Sequence, residues 1–265
     1  MKLEVISVRP ETQTCRTPVL FVHGAWHGAW CWEERFIPYF VEQGFEVHAF
    51  SFRNHGKSES NGSLRWRRAT EYVEDLQQVV AQIGTPPVLI AHSMGGYVVQ
   101  KYLEKHRVPA LALLASVPPA GVLGATVRMA GRHPLAFLKT NLQMRLWPLV
   151  ASPALTRDAF FSAKMPQAQV DAYFGKVQDE SYLTFLDMLA LNLPKPQRVP
   201  SVPMLVLGGT ADKVFTPKEA ASTARRYGAD LQIVPGIAHD MMLEVGWEGV
   251  AARVIGWLKT VPGVC

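Results

Sequence analysis

The 265-residue sequence predicts an α/β fold with a mostly parallel, doubly wound sheet that carries helices on both faces. Two observations predict this class. Short apolar runs rich in β-branched residues alternate with segments of helical length. The runs are also apolar at almost every position, as expected of parallel strands covered on both faces. The runs lie at 18–22, 45–50, 87–91, 109–115, 202–207 and 230–234, and the helical segments lie at about 31–43, 70–83, 95–106, 217–227 and 247–259.

Two segments depart from this alternation. The segment 2–8, KLEVISV, alternates between polar and apolar residues, which predicts an edge strand that can pair in the antiparallel sense. Residues 119–197 contain no β run, and prolines divide them into short helical patterns. A helical insertion of this length predicts a lid over the carboxyl ends of the strands, and an ordinary helical layer of the core is the alternative. We therefore expect a core formed by 1–118 and 198–265, with 119–197 as the lid.

The composition is that of a globular chain. Hydrophobic residues make up 48% of the sequence, the formal charge is +5, and no apolar run is long enough for a membrane span. The main basic cluster, RWRR at 65–68, is interpreted as a solvated loop or helix start. We therefore expect a small-molecule substrate as the partner, with neither nucleic acid nor a membrane-spanning segment.

The cysteines and the amino terminus suggest a cytoplasmic protein. Cys15, Cys31 and Cys265 are odd in number and unclustered, so we expect reduced thiols, no disulfide framework and no metal site. The first residues lack the apolar segment of a secretory signal. The sequence is compatible with either a monomer or a homodimer.

A serine stands at an abrupt join between a strand and a helix. The run PVLIA ends at Ala91, Ser93 follows, and an amphipathic helical pattern begins at about Met94. So tight a turn strains the serine backbone and requires small neighbours, here Gly95 and Gly96. It also projects the hydroxyl beyond the sheet edge. The pattern A-H-S-M-G predicts a nucleophile elbow with Ser93 as nucleophile, whereas a serine that only caps the helix is the alternative.

A serine nucleophile needs a base and a carboxylate that orients the base. Asp212 lies in the loop GGTADKVFTP after one late strand, and His239 lies in PGIAHDMMLEVGW after the last strand. Their order after Ser93 matches the order Ser, Asp, His expected of this topology. The catalytic candidates are thus Ser93, Asp212 and His239. The rival candidates are less well placed: His92 within the elbow, His48 within a strand, and Asp240, which we interpret as forming hydrogen bonds within its loop.

The tetrahedral oxyanion needs two hydrogen-bond donors. One is expected to be the amide of Met94, the residue after the nucleophile, and the other the amide of Ala25 in the loop after the first core strand. Gly24, Trp26 and His92 are the nearby candidates for substrate contact. Other residues of the loop have open roles: His23 as a brace, and His27 and Trp30 as pocket or packing residues.

The segment 119–197 is strongly apolar. From it, Trp147 and Phe161 are the candidates for substrate contact, although core packing is the competing role for each apolar residue there. A lid rich in Met and Leu suits a medium-sized apolar acyl or aryl group. Four cations could meet a substrate carboxylate, but a solvated face is the more ordinary interpretation: Arg128, Arg132, Lys139 and Arg145.

Over essentially its full length the chain resembles the α/β-hydrolase superfamily. HGAWHGAWCW at 23–32 is similar to the opening loop of plant methylesterases and hydroxynitrile lyases, and of many bacterial relatives. FRNHGKSES at 52–60 resembles the R-G-H-G-x-S loop, with Asn54 in place of a glycine. Ala91 replaces the first glycine of the elbow. The resemblance supports the fold and the nucleophile, but this scaffold supports many reactions.

The resemblance also narrows the reaction. Dehalogenases and epoxide hydrolases of this fold carry an aspartate at the elbow, where this chain has Ser93. The hydroxynitrile lyases have a threonine at the position of Gly24 and a lysine at that of Asp240, so lyase activity is disfavoured.

The sequence therefore predicts a serine esterase or lipase-like hydrolase that acts on a carboxylic ester, thioester or lactone, with no metal or organic cofactor. Two alternatives stay open. The same triad could serve a carbon–carbon bond hydrolase or lyase. Alternatively, the protein could be a ligand receptor that retains the triad.

Overall fold

The structure is a computed structural model that describes residues 1–60 and 62–265. Within this part of the chain, a single seven-stranded sheet forms the centre of the molecule. The strands are β1 (Val5–Val8), β2 (Cys15–Val22), β3 (Phe45–Phe50), β4 (Val88–His92), β5 (Leu111–Leu114), β6 (Met204–Gly209) and β7 (Asp230–Val234).

The α-helices lie between the strands and after the last one. None of the helices in the described residues is long and apolar enough to cross a bilayer. The helices are α1 (Trp30–Glu33), α2 (Phe36–Glu42), α3 (Ala69–Ile83), α4 (Met94–Leu103), α5 (Leu123–Arg132), α6 (Pro134–Gln143), α7 (Pro153–Phe160), α8 (Gln167–Phe174), α9 (Tyr182–Leu186), α10 (Pro217–Tyr227) and α11 (Trp247–Leu258).

The strand order is β1-β3-β2-β4-β5-β6-β7, and every pair is parallel except β1 with β3. The antiparallel edge strand β1 places Val5 opposite Phe50. The predicted fold class is thus confirmed. Because β2 to β7 are parallel, their carboxyl ends meet at one edge of the sheet, where ligands bind in open α/β folds.

Alternating residues of the strands divide the core into two layers. Val19 and Phe21 pack on one face of the sheet with residues of α1, α2 and α11, such as Phe36. Leu20 and Val22 pack on the other face with residues of α3, α4 and α10. The central strands β2 to β6 are therefore largely buried, which explains why they read as continuous apolar runs, whereas the edge strands β1 and β7 are more exposed.

Capping residues in the sequence determine both ends of helix α10. Helix α10 begins at the segment Thr-Pro-Lys-Glu, where the Thr216 hydroxyl accepts from the amide of Glu219 and the Glu219 carboxylate accepts from the amide of Thr216. The helix ends at Gly228, which has a left-handed φ of 64°. In contrast, the helix expected at 31–43 is divided into α1 and α2, because the backbone at Arg35 leaves helical geometry.

Residues 115–203, all of which the structure describes, contain helices α5 to α9 and no strand. This matches the expected β-free segment between two parallel strands. The division of the chain into core and lid at 119 and 197 remains a prediction.

The expectation that the cysteines are all reduced is wrong for two of them. Cys15 and Cys265 form a disulfide across 250 positions of sequence, while Cys31 is free and buried. The carboxyl terminus lies beside the start of β2, where the amide of Thr17 donates to the carbonyl of Val264. Cysteine spacing alone does not reveal such a tertiary neighbour. Disulfides persist mainly in oxidising compartments, so this bond argues against a cytoplasmic location, which remains a prediction.

Candidate active site

Ser93 occupies a strained turn between β4 and α4. Its backbone angles are φ 50° and ψ −117°, in a region that non-glycine residues rarely adopt. Gly95 allows the turn to pack against β2, because a Cβ there would lie 2.6 Å from the carbonyl oxygen of Val22 and even closer to that of His23. The strand-to-helix geometry therefore has the form expected of a nucleophile elbow.

Ser93, His239 and Asp212 form one hydrogen-bonded series. His239 Nε2 lies 3.0 Å from Ser93 Oγ, and His239 Nδ1 lies 3.0 Å from Asp212 Oδ2. Asp212 follows β6 and His239 follows β7, so both loops leave the same edge of the sheet. With Nδ1–H donating to the carboxylate, Nε2 is free to accept the serine proton.

The loop after β6 also supports the other oxygen of Asp212. Asp212 Oδ1 accepts hydrogen bonds from the amides of Val214, at 2.7 Å, and Phe215, at 3.0 Å. The carboxylate is thus fixed on both oxygens while one of them faces His239. Asp240 does not compete for this role, because its carboxylate binds His27 instead.

The two expected oxyanion donors lie on the elbow and on the loop after β2. Met94 is the first residue of α4, where an amide has no partner inside the helix. Ala25 precedes Trp26, which has a left-handed φ of 65°. Two hydrogen bonds connect the backbone of Trp26 to segment 178–180. The amide of Trp26 donates to Glu180 Oε2 at 3.4 Å, and the carbonyl of Trp26 accepts from the amide of Gln178 at 3.0 Å.

His92 lies behind the nucleophile rather than facing a substrate. Its Nε2 donates to the carbonyl of His239 at 3.0 Å, and its ring centroid lies 4.8 Å from that of His239. Burial, followed by the charge of nearby His239, lowers the pKa of His92 from 6.5 to about 3, so the ring is neutral. Gly24 packs against it closely, since a Cβ there would lie 2.6 Å from His92 Nδ1.

We expect this neutral histidine to make the fold sensitive to acid. From pH 6.5 down to about 3, the unfolded chain binds a proton at His92 that the folded chain does not. For this group alone, the free energy of unfolding should fall by about 1.4 kcal/mol per pH unit as the pH drops through that window. Urea unfolding of wild type and His92→Gln at pH 7, 6 and 5 tests this, and equal pH slopes for the two proteins would refute it.

A largely apolar cavity opens beside Ser93 and His239. The space enclosed between its walls, including the part that is open to solvent, is about 680 Å³. Helices α5 and α6 and the loop after Asp212 supply most of its wall. The other lining residues are Trp26, Val122, Ala125, Thr126, Met129, Arg132, Phe137, Thr140, Leu146, Leu149, Phe185, Val214 and Phe215.

Of the five residues expected to contact the substrate, only Trp26 lines this cavity. Gly24 and His92 pack behind the nucleophile. Trp147 stacks on Phe174, with ring centroids 6.1 Å apart, and buried Phe161 stacks on Tyr173, with centroids 5.6 Å apart; neither lines the cavity. The sequence carries a signal for two of the missed residues, because Val214 and Phe215 lie in the same loop as Asp212, two and three residues after it.

Hydrogen bonds, ring stacking and ion pairs define the roles of the other loop residues and of most of the cations considered in the sequence. His23 accepts from the amide of Phe52 through Nε2, at 3.1 Å, and so braces two loops. Trp30 stacks on His27 with centroids 5.1 Å apart. Of the four cations considered in segment 119–197, three form ion pairs: Arg128 with Glu219, Arg132 with Asp158 and Arg145 with Asp179.

The chain belongs to the alpha/beta hydrolase family, whose family model matches residues 19–253. Among curated proteins, it is 24% identical over 234 residues to a monoacylglycerol lipase of Mycolicibacterium smegmatis, covering 83% of this chain and 80% of that protein.

Solved structures of the same fold align over nearly the whole chain. They include a monoacylglycerol lipase from Paleococcus ferrophilus, with a TM-score of 0.72, 20% identity and coverage of 97% of this chain and 98% of that one. An esterase from Exiguobacterium antarcticum has a TM-score of 0.73 and 18% identity, with coverage of 97% and 96%. A bromoperoxidase from Bacillus anthracis matches equally well, with a TM-score of 0.73 and 18% identity over 97% and 96%. At such identities these likenesses show the fold alone.

Proposed function

We propose that this protein is a serine hydrolase that cleaves a carboxylic ester, thioester or lactone of a small to medium apolar substrate through an acyl-enzyme on Ser93. One observation carries the proposal: Ser93, His239 and Asp212 are joined by two 3.0 Å hydrogen bonds beside an apolar cavity. Relatives named as a lipase and an esterase add support for ester hydrolysis.

Acylation begins at the Ser93 hydroxyl. Its Oγ attacks the substrate carbonyl carbon while its proton moves to His239 Nε2, and the Asp212 carboxylate stabilises the resulting imidazolium. The amides of Ala25 and Met94 donate to the tetrahedral oxyanion. When the intermediate collapses, His239 returns its proton to the leaving alcohol or thiol. Ser93 Oγ then carries the acyl group as an ester.

Deacylation repeats these steps with water. His239 Nε2 takes a proton from the attacking water, and the resulting hydroxide adds to the acyl carbonyl. A second tetrahedral oxyanion forms at the same two amides. Its collapse releases the carboxylic acid and returns the proton to Ser93 Oγ, so the enzyme is restored.

The lining of the cavity supports an apolar substrate. Its wall is contributed largely by apolar side chains of segment 119–197, such as Met129, Phe137 and Leu149. Burying an apolar chain there gains roughly 25 cal/mol for each Å² removed from water. A charged sugar or phosphate would lose hydration there and would meet one cation, Arg132, which is already paired with Asp158. We therefore assign an apolar acyl or aryl group to this cavity, with segment 119–197 serving as the lid.

A chain-length series of p-nitrophenyl esters tests this assignment. Wild type should show a kcat/KM that rises with acyl length to an optimum set by the cavity. In Ala125→Phe the new ring would occupy cavity space, so we expect a shorter optimum and a loss of about 10-fold or more for the longest good substrate.

Ala130→Phe is the matched control, since Ala130 lies on the same helix α5 but does not line the cavity. It should retain the wild-type length profile. The same shift in both variants would remove the cavity assignment. No turnover of any ester by wild type would instead count against ester hydrolysis itself and favour a receptor or a carbon–carbon bond enzyme.

A further inference from the structure

A second buried histidine–carboxylate pair joins the two loops that flank the reacting atoms. His27 follows the Ala25 position by two residues, and Asp240 directly follows His239. His27 Nε2 lies 2.9 Å from Asp240 Oδ2, and His27 Nδ1 lies 2.7 Å from the carbonyl oxygen of Ala25. The side chains of His27 and Asp240 are 1% and 0% exposed. The pair connects positions 213 residues apart in the sequence.

The geometry indicates that both partners are charged. Each ring nitrogen of His27 faces an oxygen acceptor, which suits an imidazolium that donates from both. Burial opposes that charge, but the Asp240 carboxylate outweighs it and raises the pKa of His27. Burial likewise opposes the charge of Asp240, but His27 lowers the pKa of that carboxyl. The directions for the two partners agree.

The pair belongs to a set of contacts that fixes the loop of His239 from three sides. His92 on the elbow donates to the carbonyl of His239 at 3.0 Å. The amide of Asp240 donates to the carbonyl of Phe160 at 3.0 Å. The third contact is the charged link from Asp240 to His27, and through His27 to the carbonyl of Ala25.

We propose that His27 and Asp240 are positioning residues for the ester hydrolysis proposed above, which hold the Ala25 loop and the His239 loop in register with Ser93. This inference rests on that proposed function. The proposed base and one proposed oxyanion donor lie on these two loops, so their relative position sets whether proton transfer and oxyanion stabilisation occur together. A misplacement of about 1 Å can cost on the order of 100-fold in rate.

The test is a kinetic comparison of Asp240→Asn with Asp75→Asn. Asp75 is also buried and ion-paired, with Arg53, but it lies on α3 away from the cavity. Asp240→Asn leaves the buried His27 without its carboxylate partner. Asp75→Asn removes a buried carboxylate from Arg53, which keeps its ion pairs with Glu71 and Glu74. Both substitutions should lower Tm. Only Asp240→Asn should lower kcat, by about 10- to 100-fold with KM changed less than threefold, at a temperature where both variants are folded. It should slow fluorophosphonate labelling of the serine to a similar degree.

The double variant His27→Gln/Asp240→Asn keeps the proposal testable if the single variant Asp240→Asn fails to fold. It removes both charges together, so no unpaired ion remains in the interior. We expect a Tm above that of Asp240→Asn and a kcat that remains at least 10-fold below wild type. A folded double variant with wild-type kcat would overturn the positioning role, as would equal effects of Asp240→Asn and Asp75→Asn on kcat. Failure of the proposed function is separate, since wild type itself would then neither turn over esters nor be labelled.

Discussion

Replacement of Ser93 by alanine is expected to lower kcat for ester hydrolysis by about a million-fold. The substitution removes the Oγ atom that we propose carries the acyl group, whereas the cavity and the proposed oxyanion donors remain. Alanine and serine both carry a Cβ, so both experience the same strain at the positive φ of position 93, and Tm should change little. The measurement is p-nitrophenol release by purified wild type and Ser93→Ala, with the fold of both proteins confirmed by circular dichroism.

Ser116→Ala is the matched control for this prediction. Ser116 is also buried, and it lies just past the carboxyl end of the neighbouring strand β5. Its hydroxyl donates to the carbonyl of Val117 and accepts from Gln100, so its role is within the core. We expect its kcat to stay within a few-fold of wild type. A Ser93→Ala protein that keeps more than one hundredth of wild-type activity would rule out Ser93 as the nucleophile.

The second large effect is expected for Asp212→Asn, with kcat lowered by about 10,000-fold. An asparagine can still accept from the amides of Val214 and Phe215 through its carbonyl oxygen. Its NH₂ group then faces His239 Nδ1, which favours the tautomer with a proton on Nε2. In that tautomer the ring cannot accept the proton of Ser93.

The comparison variant for Asp212→Asn is Asp75→Asn, which alters a buried carboxylate outside both the triad and the cavity. Asp75→Asn breaks an ion pair with Arg53 and should reduce Tm without this loss of rate. KM for a short ester should be nearly unchanged in Asp212→Asn, because the cavity is intact. A loss smaller than 10-fold would mean that another group orients His239.

The parts of the molecule that could be predicted from sequence depend on local patterns. The central parallel strands β2 to β6 are largely buried, so each appears as a short apolar run. The elbow was recognisable because its strain requires small residues at adjacent positions such as Gly95. Asp212 and His239 follow the ends of successive strands, and parallel topology brings those ends to one edge.

Other features depend on contacts between distant parts of the chain. Cys15 and Cys265 meet because the carboxyl terminus returns to the start of β2, which their spacing does not reveal. Trp147 and Phe161 are as apolar as the residues that line the cavity, but helix packing turns them toward Phe174 and Tyr173. When a helix is apolar on several sides, its hydrophobic periodicity does not determine which side faces the core, and the elements packed against it do.

The central claim, that Ser93 is an activated nucleophile, is tested most directly by intact-mass measurement after incubation with a fluorophosphonate probe. We predict a single adduct on wild type and none on Ser93→Ala under the same conditions. A wild-type protein that remains unlabelled, or an adduct of the same mass on Ser93→Ala, would contradict the claim.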